Sequence, residues 1–142
     1  MKSRDLTPPA GPGHNDGVLL VDDEQALLEM YGAVLRPYFH ISTAINAAAA
    51  DRLLKKRTFK VIVADHLMPG ETGLDFLARA SVAYPHMQRV MVTGNMTAEM
   101  LQRATETNLL FAFLIKPISI TELRNVVQSA VRAHDLRFAV SS

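Results

Sequence analysis

Short apolar runs alternate with amphipathic stretches along most of the chain after residue 16. Four-residue apolar runs are typical of strands that are buried in a sheet. We predict five strands: Val18–Val21, Ile41–Ala44, Val61–Ala64, Val90–Thr93 and Ala112–Ile115. The stretch that follows each strand has apolar residues at helical spacing. Five strand–helix units in succession predict a parallel sheet that is covered by helices on both faces.

The predicted helices differ in how clearly the sequence marks them. Asn46 is a favourable N-cap residue for an Ala-rich helix over Ala47–Lys56. The stretch Thr97–Thr105 has a much thinner apolar face. That face carries Met100, Leu101 and Ala104. We expect this fourth helix to be the most loosely held.

The apolar character of each strand indicates the order of the strands. The first, third, fourth and fifth strands are almost continuously apolar, whereas the second, ISTA at residues 41–44, alternates as an edge strand does. This pattern favours an α/β fold, a flavodoxin-like (βα)5 doubly wound parallel sheet with strand order 2-1-3-4-5. A barrel built from the same units would need eight of them.

Composition limits the class of protein. With 142 residues, 49% of them hydrophobic, the chain can build the core of one ordinary domain. Its 15 basic and 14 acidic residues nearly balance, so no global charge recruits nucleic acid or an anionic membrane. The absence of Cys excludes thiolate metal sites and cysteine nucleophiles. No run reaches the roughly 20 apolar residues of a membrane span. We therefore expect a cytoplasmic protein.

The chain divides into three predicted segments. Residues 1–16 are polar and rich in Pro and Gly, so we expect a flexible N-terminal tail. Residues 17–134 contain all five strand–helix units and form the folded domain. Residues 135–142 extend the last helix or form a tail. We expect His134 and Arg137 to complement the carboxyl end of that helix.

Polar residues that could do chemistry stand at the ends of four predicted strands. They are Asp22, Asp23, Asp65, Thr93 and Lys116. The carboxyl ends of parallel strands lie at one edge of the sheet, where such folds place their sites. Carboxylates that crowd together repel each other, and oxygen ligands without His or Cys favour a hard cation such as Mg²⁺. A cation and a Lys beside a carboxylate suit phosphoryl transfer, with Asp65 as the best-placed nucleophile.

Four motifs carry a resemblance to a known family. VLLVDDE, VADHLMPG, MVTG and LIKP, in this order, resemble the receiver domain of two-component response regulators over about residues 17 to 134. The resemblance implies that Asp65 accepts a phosphoryl group from a sensor histidine kinase or a phosphotransfer protein. It implies Mg²⁺ as the cofactor, bound directly by Asp23, mainly through water by Asp22, and by the backbone carbonyl of Leu67.

The same resemblance implies how phosphorylation would be passed on. Lys116 would pair with Asp65 or its phosphate, and a cis peptide before Pro117 would place its ammonium. Thr93 would shift toward the phosphate, and Phe113 would turn into the vacated space. The face of helix 4, strand 5 and helix 5 would then act on an output domain or partner protein, or form a homodimer. Direct binding of nucleic acid is not expected.

Two other functions remain open. A small Mg²⁺-dependent phosphatase would also use an aspartyl nucleophile, but such enzymes usually place a second Asp two residues later, where this chain has Leu67. A degenerate receiver could act only through protein contacts, although the complete acidic set argues against it. We predict a signalling switch that is not an enzyme beyond its own phosphoryl transfer and autodephosphorylation. His66, next to Asp65, is expected to point away from the site.

Overall fold

The computed structural model describes residues 17–141, and the side chains of residues 17–137. Its elements are β1 (Gly17–Val21), α1 (Gln25–Leu35), β2 (His40–Ala44), α2 (Ala47–Lys56), β3 (Val61–Asp65), α3 (Gly73–Ala83), β4 (Gln88–Thr93), α4 (Ala98–Glu106), β5 (Ala112–Ile115) and α5 (Ile120–Ser141). All five predicted strands are present, and four of them are one or two residues longer than predicted. The tail predicted at residues 1–16 lies outside the described residues.

The five strands form one parallel sheet in the order β2-β1-β3-β4-β5, which confirms the predicted flavodoxin-like fold. β1, β3 and β4 lie in the interior of the sheet, and all of their residues are buried. β2 and β5 form the edges, and both are partly exposed. The order reverses between β1 and β3, and in such sheets the crevice beyond that point is where sites form.

Side-chain alternation divides the core into two layers. Leu20, Val63 and Val92 point to one face of the sheet, where they pack with buried residues of α1 and α5. Ile62 and Met91 point to the opposite face, where they pack with buried residues of α2 and α3. The two layers fix the strand register, because a slip by one residue would exchange the two sets of side chains.

The helix predictions hold at α2 and fail in part at α4. The side chain of Asn46 accepts a hydrogen bond of 2.8 Å from the backbone N–H of Ala49, which confirms it as the N-cap of α2. In α4 only Ala104 is buried, and Met100 is partly buried. The prediction that Leu101 faces inward is wrong, since Leu101 is exposed and lines a groove with Phe111 beside β5. One fully buried residue leaves the rotation of α4 weakly specified.

The last helix is longer than the folded core requires. α5 continues to Ser141, so the prediction that His134 lies at its carboxyl end is wrong. His134 is instead buried, with its Nδ1 atom 3.1 Å from Oδ1 of Asp135, which also forms an ion pair of 2.9 Å with Lys60. Within the described part of the chain, no helix is both long and apolar enough to cross a membrane.

Candidate functional site

The strand register brings three of the predicted site residues to one face at the carboxyl edge of the sheet. Asp22, Asp65 and Lys116 each stand two positions after a strand residue whose side chain is buried beneath α1 and α5. Side chains two apart along a strand point to the same face. Val21 lies opposite Ala64 in the β1–β3 ladder, so Asp22 and Asp65 come out of neighbouring strands side by side.

Three carboxylates meet at this edge. Asp22, Asp23 and Asp65 each offer an oxygen, and these oxygens all lie within 4.8 Å of one another. Asp22 and Asp65 are buried, at 3% and 5% exposure, whereas Asp23 is exposed. The backbone N–H of Glu24 donates a 2.9 Å hydrogen bond to Oδ1 of Asp22 and fixes that carboxylate. An all-oxygen set of this kind fits a hard divalent cation such as Mg²⁺.

Lys116 reaches the cluster from the end of β5. Its Nζ lies 2.8 Å from Oδ1 of Asp65 and 4.0 Å from Oδ2 of Asp22. The peptide bond between Lys116 and Pro117 is cis, as the family resemblance implies. The backbone N–H of Lys116 donates a 2.9 Å hydrogen bond to the carbonyl of Thr93, which anchors the start of this turn to β4.

Burial and the neighbouring charges shift the pKa values of Asp22 and Lys116. Burial raises the pKa of Asp22, and the neighbouring charge of Asp65 raises it further, against the hydrogen bond from Glu24 and the charge of Lys116. Burial alone would lower the pKa of Lys116, but its hydrogen bond to Asp65 and the charges of both carboxylates raise it above its ordinary value. The ammonium is therefore held protonated beside Asp65.

A tight loop connects Asp65, at the end of β3, to α3. A Cβ atom at Gly73 would collide with the carbonyl oxygen of Asp65, so only glycine fits where the loop closes. The Nδ1 atom of His66 accepts a 3.3 Å hydrogen bond from the backbone N–H of Leu74, so this side chain is engaged with α3 and not with the carboxylates. Leu67 is 73% exposed in the same loop. Its part in metal binding stays a prediction.

Thr93 and Phe113 lie on the other face of the sheet. Thr93 alternates with Val92 at the end of β4, and its hydroxyl donates to the carbonyl of Asn95 at 3.0 Å while accepting from the N–H of Asn95 at 3.2 Å. Phe113 is paired with Met91 in the β4–β5 ladder and is 38% exposed. A Cβ atom at Gly94 would meet nothing within 4 Å, so the space beside Thr93 is open.

One residue close to the site was not predicted to act there. Tyr31 matches the apolar spacing of α1, so the sequence predicts a core position for it. Its ring is in the core, at 8% exposure, but it also lines a small cavity together with Asp22 and Asp65. The only sequence signal for this is a phenol hydroxyl in an otherwise apolar stripe.

Comparisons with known proteins identify the family of the chain. The profile of the response regulator receiver domain family matches residues 18–128. The hydrogenase transcriptional regulatory protein HoxA of Cupriavidus necator is 29% identical over 120 residues, which are 84% of this chain and 25% of that protein. The alginate biosynthesis transcriptional regulatory protein AlgB of Pseudomonas syringae is 32% identical over 108 residues, which are 75% of this chain and 24% of that protein. The chain thus spans about a quarter of the length of these relatives.

Solved structures show the same fold. A structure described as adenylate cyclase from Rhodopirellula baltica superposes with a TM-score of 0.85 at 28% identity, covering 89% of this chain and 95% of that one. A CheY-like receiver domain protein from Methanospirillum hungatei superposes with a TM-score of 0.80 at 22% identity, covering 87% and 98%. Receiver domains are signalling modules and not conventional enzymes. By its sequence and its fold, this chain belongs to the response regulator receiver domain family of two-component systems.

Proposed function

We propose that this protein is a phosphorylatable switch in which Asp65 accepts a phosphoryl group. The observation that carries the proposal is the position of Lys116, with Nζ 2.8 Å from Oδ1 of the buried Asp65. Asp65 lies within the same small cluster as Asp22 and Asp23. A carboxylate that is flanked by a fixed cation and by cation ligands is arranged to take up a group that carries negative charge.

The acidic residues fit Mg²⁺ as the cofactor. Asp22, Asp23 and Asp65 supply only hard oxygen donors, and the backbone carbonyl of Leu67 would add another. Asp23 would bind the cation directly, and Asp22 mainly through water. When bound, Mg²⁺ supplies positive charge that neutralises the oxygens of the phosphoryl group.

The transfer step is an in-line displacement at phosphorus. A carboxylate oxygen of Asp65 forms a bond to phosphorus as the bond from phosphorus to the donor breaks. The electron pair of the broken bond leaves with the donor, on the imidazole of a phosphohistidine or on the acetate of acetyl phosphate. The ammonium of Lys116, already held at this carboxylate, stabilises charge on the transferring group.

The new phosphate would act on the far face of the sheet through Thr93. Among the residues that the structure describes, its hydroxyl is bound only to the backbone of Asn95, so it can exchange that partner for a phosphate oxygen. Phe113, now partly exposed, would turn toward the space that Thr93 leaves. α4 buries only Ala104 and is the element best able to follow.

The proposed partners act at the two ends of this pathway. A sensor histidine kinase or a phosphotransfer protein would supply the phosphoryl group, and since a kinase makes its phosphohistidine from ATP, we place the protein in the cytoplasm. An output domain or a separate protein would receive the signal at the α4–β5–α5 face, and the same face could pair two copies of the chain. Nothing in the charge of the chain favours direct nucleic-acid binding, with 15 basic against 14 acidic residues.

Phosphorylation of the intact protein tests the proposal. Incubation with Mg²⁺ and acetyl phosphate should add one phosphoryl group that hydroxylamine removes, as measured by intact mass. Asp65→Asn should abolish the adduct, whereas Asp51→Asn, a matched change on α2 at a residue paired with Arg79, should keep it. Continuous turnover of phosphate esters would support the phosphatase alternative, and the lack of any adduct would support a degenerate receiver.

A further inference from the structure

Tyr31 occupies an unusual place beneath the carboxylates. It extends from α1 into the layer between that helix and the sheet, where Leu20, Val63 and Val92 surround it. Its outer side lines a second pocket together with Lys116. The ring therefore separates the hydrophobic core from the floor of the acidic site.

Tyr31 lines a cavity together with Asp22 and Asp65, but its hydroxyl bonds to neither of them directly. Within residues 17–137, it has no hydrogen-bond partner, although the residue is more than nine-tenths buried. Burial raises the pKa of Tyr31, the charge of Lys116 lowers it, and the charges of Asp22 and Asp65 raise it again. All of these groups thus lie close enough to act on the hydroxyl. Buried hydroxyls are nearly always paired, with water where protein groups do not reach.

One small cavity is shared by Tyr31 and the two buried carboxylates. It is lined by Tyr31, Asp22 and Asp65 and otherwise by apolar side chains. The volume of this cavity is about 10 Å³. That is close to the roughly 10–15 Å³ that one water needs, and a buried water typically makes about three hydrogen bonds.

We propose that Tyr31 is a positioning residue for the cation site and that it acts through one buried water. The Tyr31 hydroxyl donates to the water oxygen, and the water donates one hydrogen to Asp22 and the other to Asp65. Both carboxylates are acceptors, so this is the arrangement in which every polar group in the cavity is satisfied. The bridge would hold the two carboxylates in place, so that they could bind the cation. This inference rests on the proposed Mg²⁺ site.

Removing the hydroxyl should weaken the binding of Mg²⁺ without unfolding the protein. Tyr31→Phe keeps the ring that packs on Leu20 and Val63 but leaves the water with one partner fewer. Loss of an outer partner of a metal site typically costs about 10- to 100-fold in metal affinity. We expect the lower end, about tenfold, because Tyr31 reaches the ligands only through the water.

The test compares two tyrosines by calorimetric titration with Mg²⁺ alone. The matched control is Tyr38→Phe, which removes a hydroxyl that accepts a 3.4 Å hydrogen bond from Arg124, away from the acidic cluster. Circular dichroism should show that both variants are folded. The proposal predicts about tenfold weaker binding for Tyr31→Phe and unchanged binding for Tyr38→Phe. Binding by Tyr31→Phe within about twofold of the parent protein would overturn it.

A second measurement does not depend on the variants. A high-resolution crystal structure of the parent protein should show an ordered water within hydrogen-bond distance of the Tyr31 hydroxyl and of both carboxylates. A dry cavity would overturn the bridge. Failure of the underlying site would look different, because the parent protein itself would then bind no Mg²⁺.

Discussion

Replacing Lys116 by Met should destabilise the protein by leaving two buried carboxylates without their cation. Methionine keeps most of the length and apolar packing of the lysine stem, so the change isolates the charge. The pKa of Lys116 is raised in the folded state above its ordinary value of 10.5. A basic group whose pKa is raised by folding contributes its full stabilisation when the pH is below its pKa in the unfolded chain. That stabilisation is lost only as the pH rises through its pKa in the folded protein. The whole effect is therefore present at neutral pH.

The distances set the size of this effect. A pair of unit charges at 2.8 Å, the Nζ–Oδ1 distance to Asp65, has a gross attraction of about 6 kcal/mol at an effective dielectric of about 20, and about 1.5 kcal/mol in bulk water. Lys116 is 27% exposed and Asp65 is 5% exposed, so the pair belongs between these limits. Removing one partner of a buried pair typically costs about 3–5 kcal/mol. We expect a loss of about 3 kcal/mol in the free energy of unfolding.

Urea unfolding followed by circular dichroism, in buffer free of divalent cations, measures this loss. The double variant Lys116→Met with Asp65→Asn should lose about 2 kcal/mol less free energy of unfolding than the sum of the losses of the two single variants. The reason is that the double variant no longer contains the Asp65 carboxylate that the Lys116 ammonium stabilises. Lys55→Met, at an exposed lysine of α2, is the control and should change stability by less than about 0.5 kcal/mol. A coupling energy below about 0.5 kcal/mol between positions 116 and 65 would refute the reasoning.

Two further predictions concern the loop and the buried acid. Gly73→Ala should lower the free energy of unfolding by roughly 2–4 kcal/mol, because the added Cβ would collide with the carbonyl of Asp65. Urea unfolding measures this loss. The control is Gly94→Ala, because a Cβ at Gly94 has open space. The pKa of Asp22 is raised above 3.8 in the folded protein, so the folded protein binds a proton at Asp22 more tightly than the unfolded chain does. The contribution of Asp22 to the free energy of unfolding therefore falls as the pH rises from 3.8 through the raised pKa. The stability of Asp22→Asn relative to the parent protein should therefore grow as the pH rises above 3.8, and a difference that stays flat would contradict the assigned direction.

Much of the fold and the acidic site could be predicted because both depend on short-range patterns. Strands of four apolar residues in alternation with helices leave few ways to build one sheet. Asp22 and Lys116 directly follow strands and Asp65 is the last residue of one, so the strand ends bring all three to one edge. Packing holds the residues of a buried strand in register, and the fixed register also fixes the positions of the residues at the end of the strand.

Other features could not be predicted because weak or long-range packing decides them. The predicted strand order makes β5 an edge, but its apolar sequence did not indicate that Phe113 and Ile115 would be partly exposed. The thin apolar face of α4 did not fix which way Leu101 points. Tyr31 fits a core position by its spacing, and only the approach of α1 to the strand ends places its hydroxyl near the carboxylates.

The energies of single hydrogen bonds explain why the proposed switch would move the β4–α4 segment before any other. Within the described part of the chain, the Thr93 hydroxyl bonds only to the backbone of Asn95, two residues away. Neutral hydrogen bonds of this kind contribute about 1 kcal/mol each. A hydrogen bond to a charged phosphate contributes about 1.5–3 kcal/mol, which exceeds the contribution of the one bond that the hydroxyl donates to the carbonyl of Asn95. The opposing cost is repacking α4, which buries a single residue, Ala104. Lys116 and the buried strands would hold the carboxylates in place. The movement that most easily brings a hydrogen-bond donor to the new phosphate charge is therefore that of Thr93 and the helix that follows it.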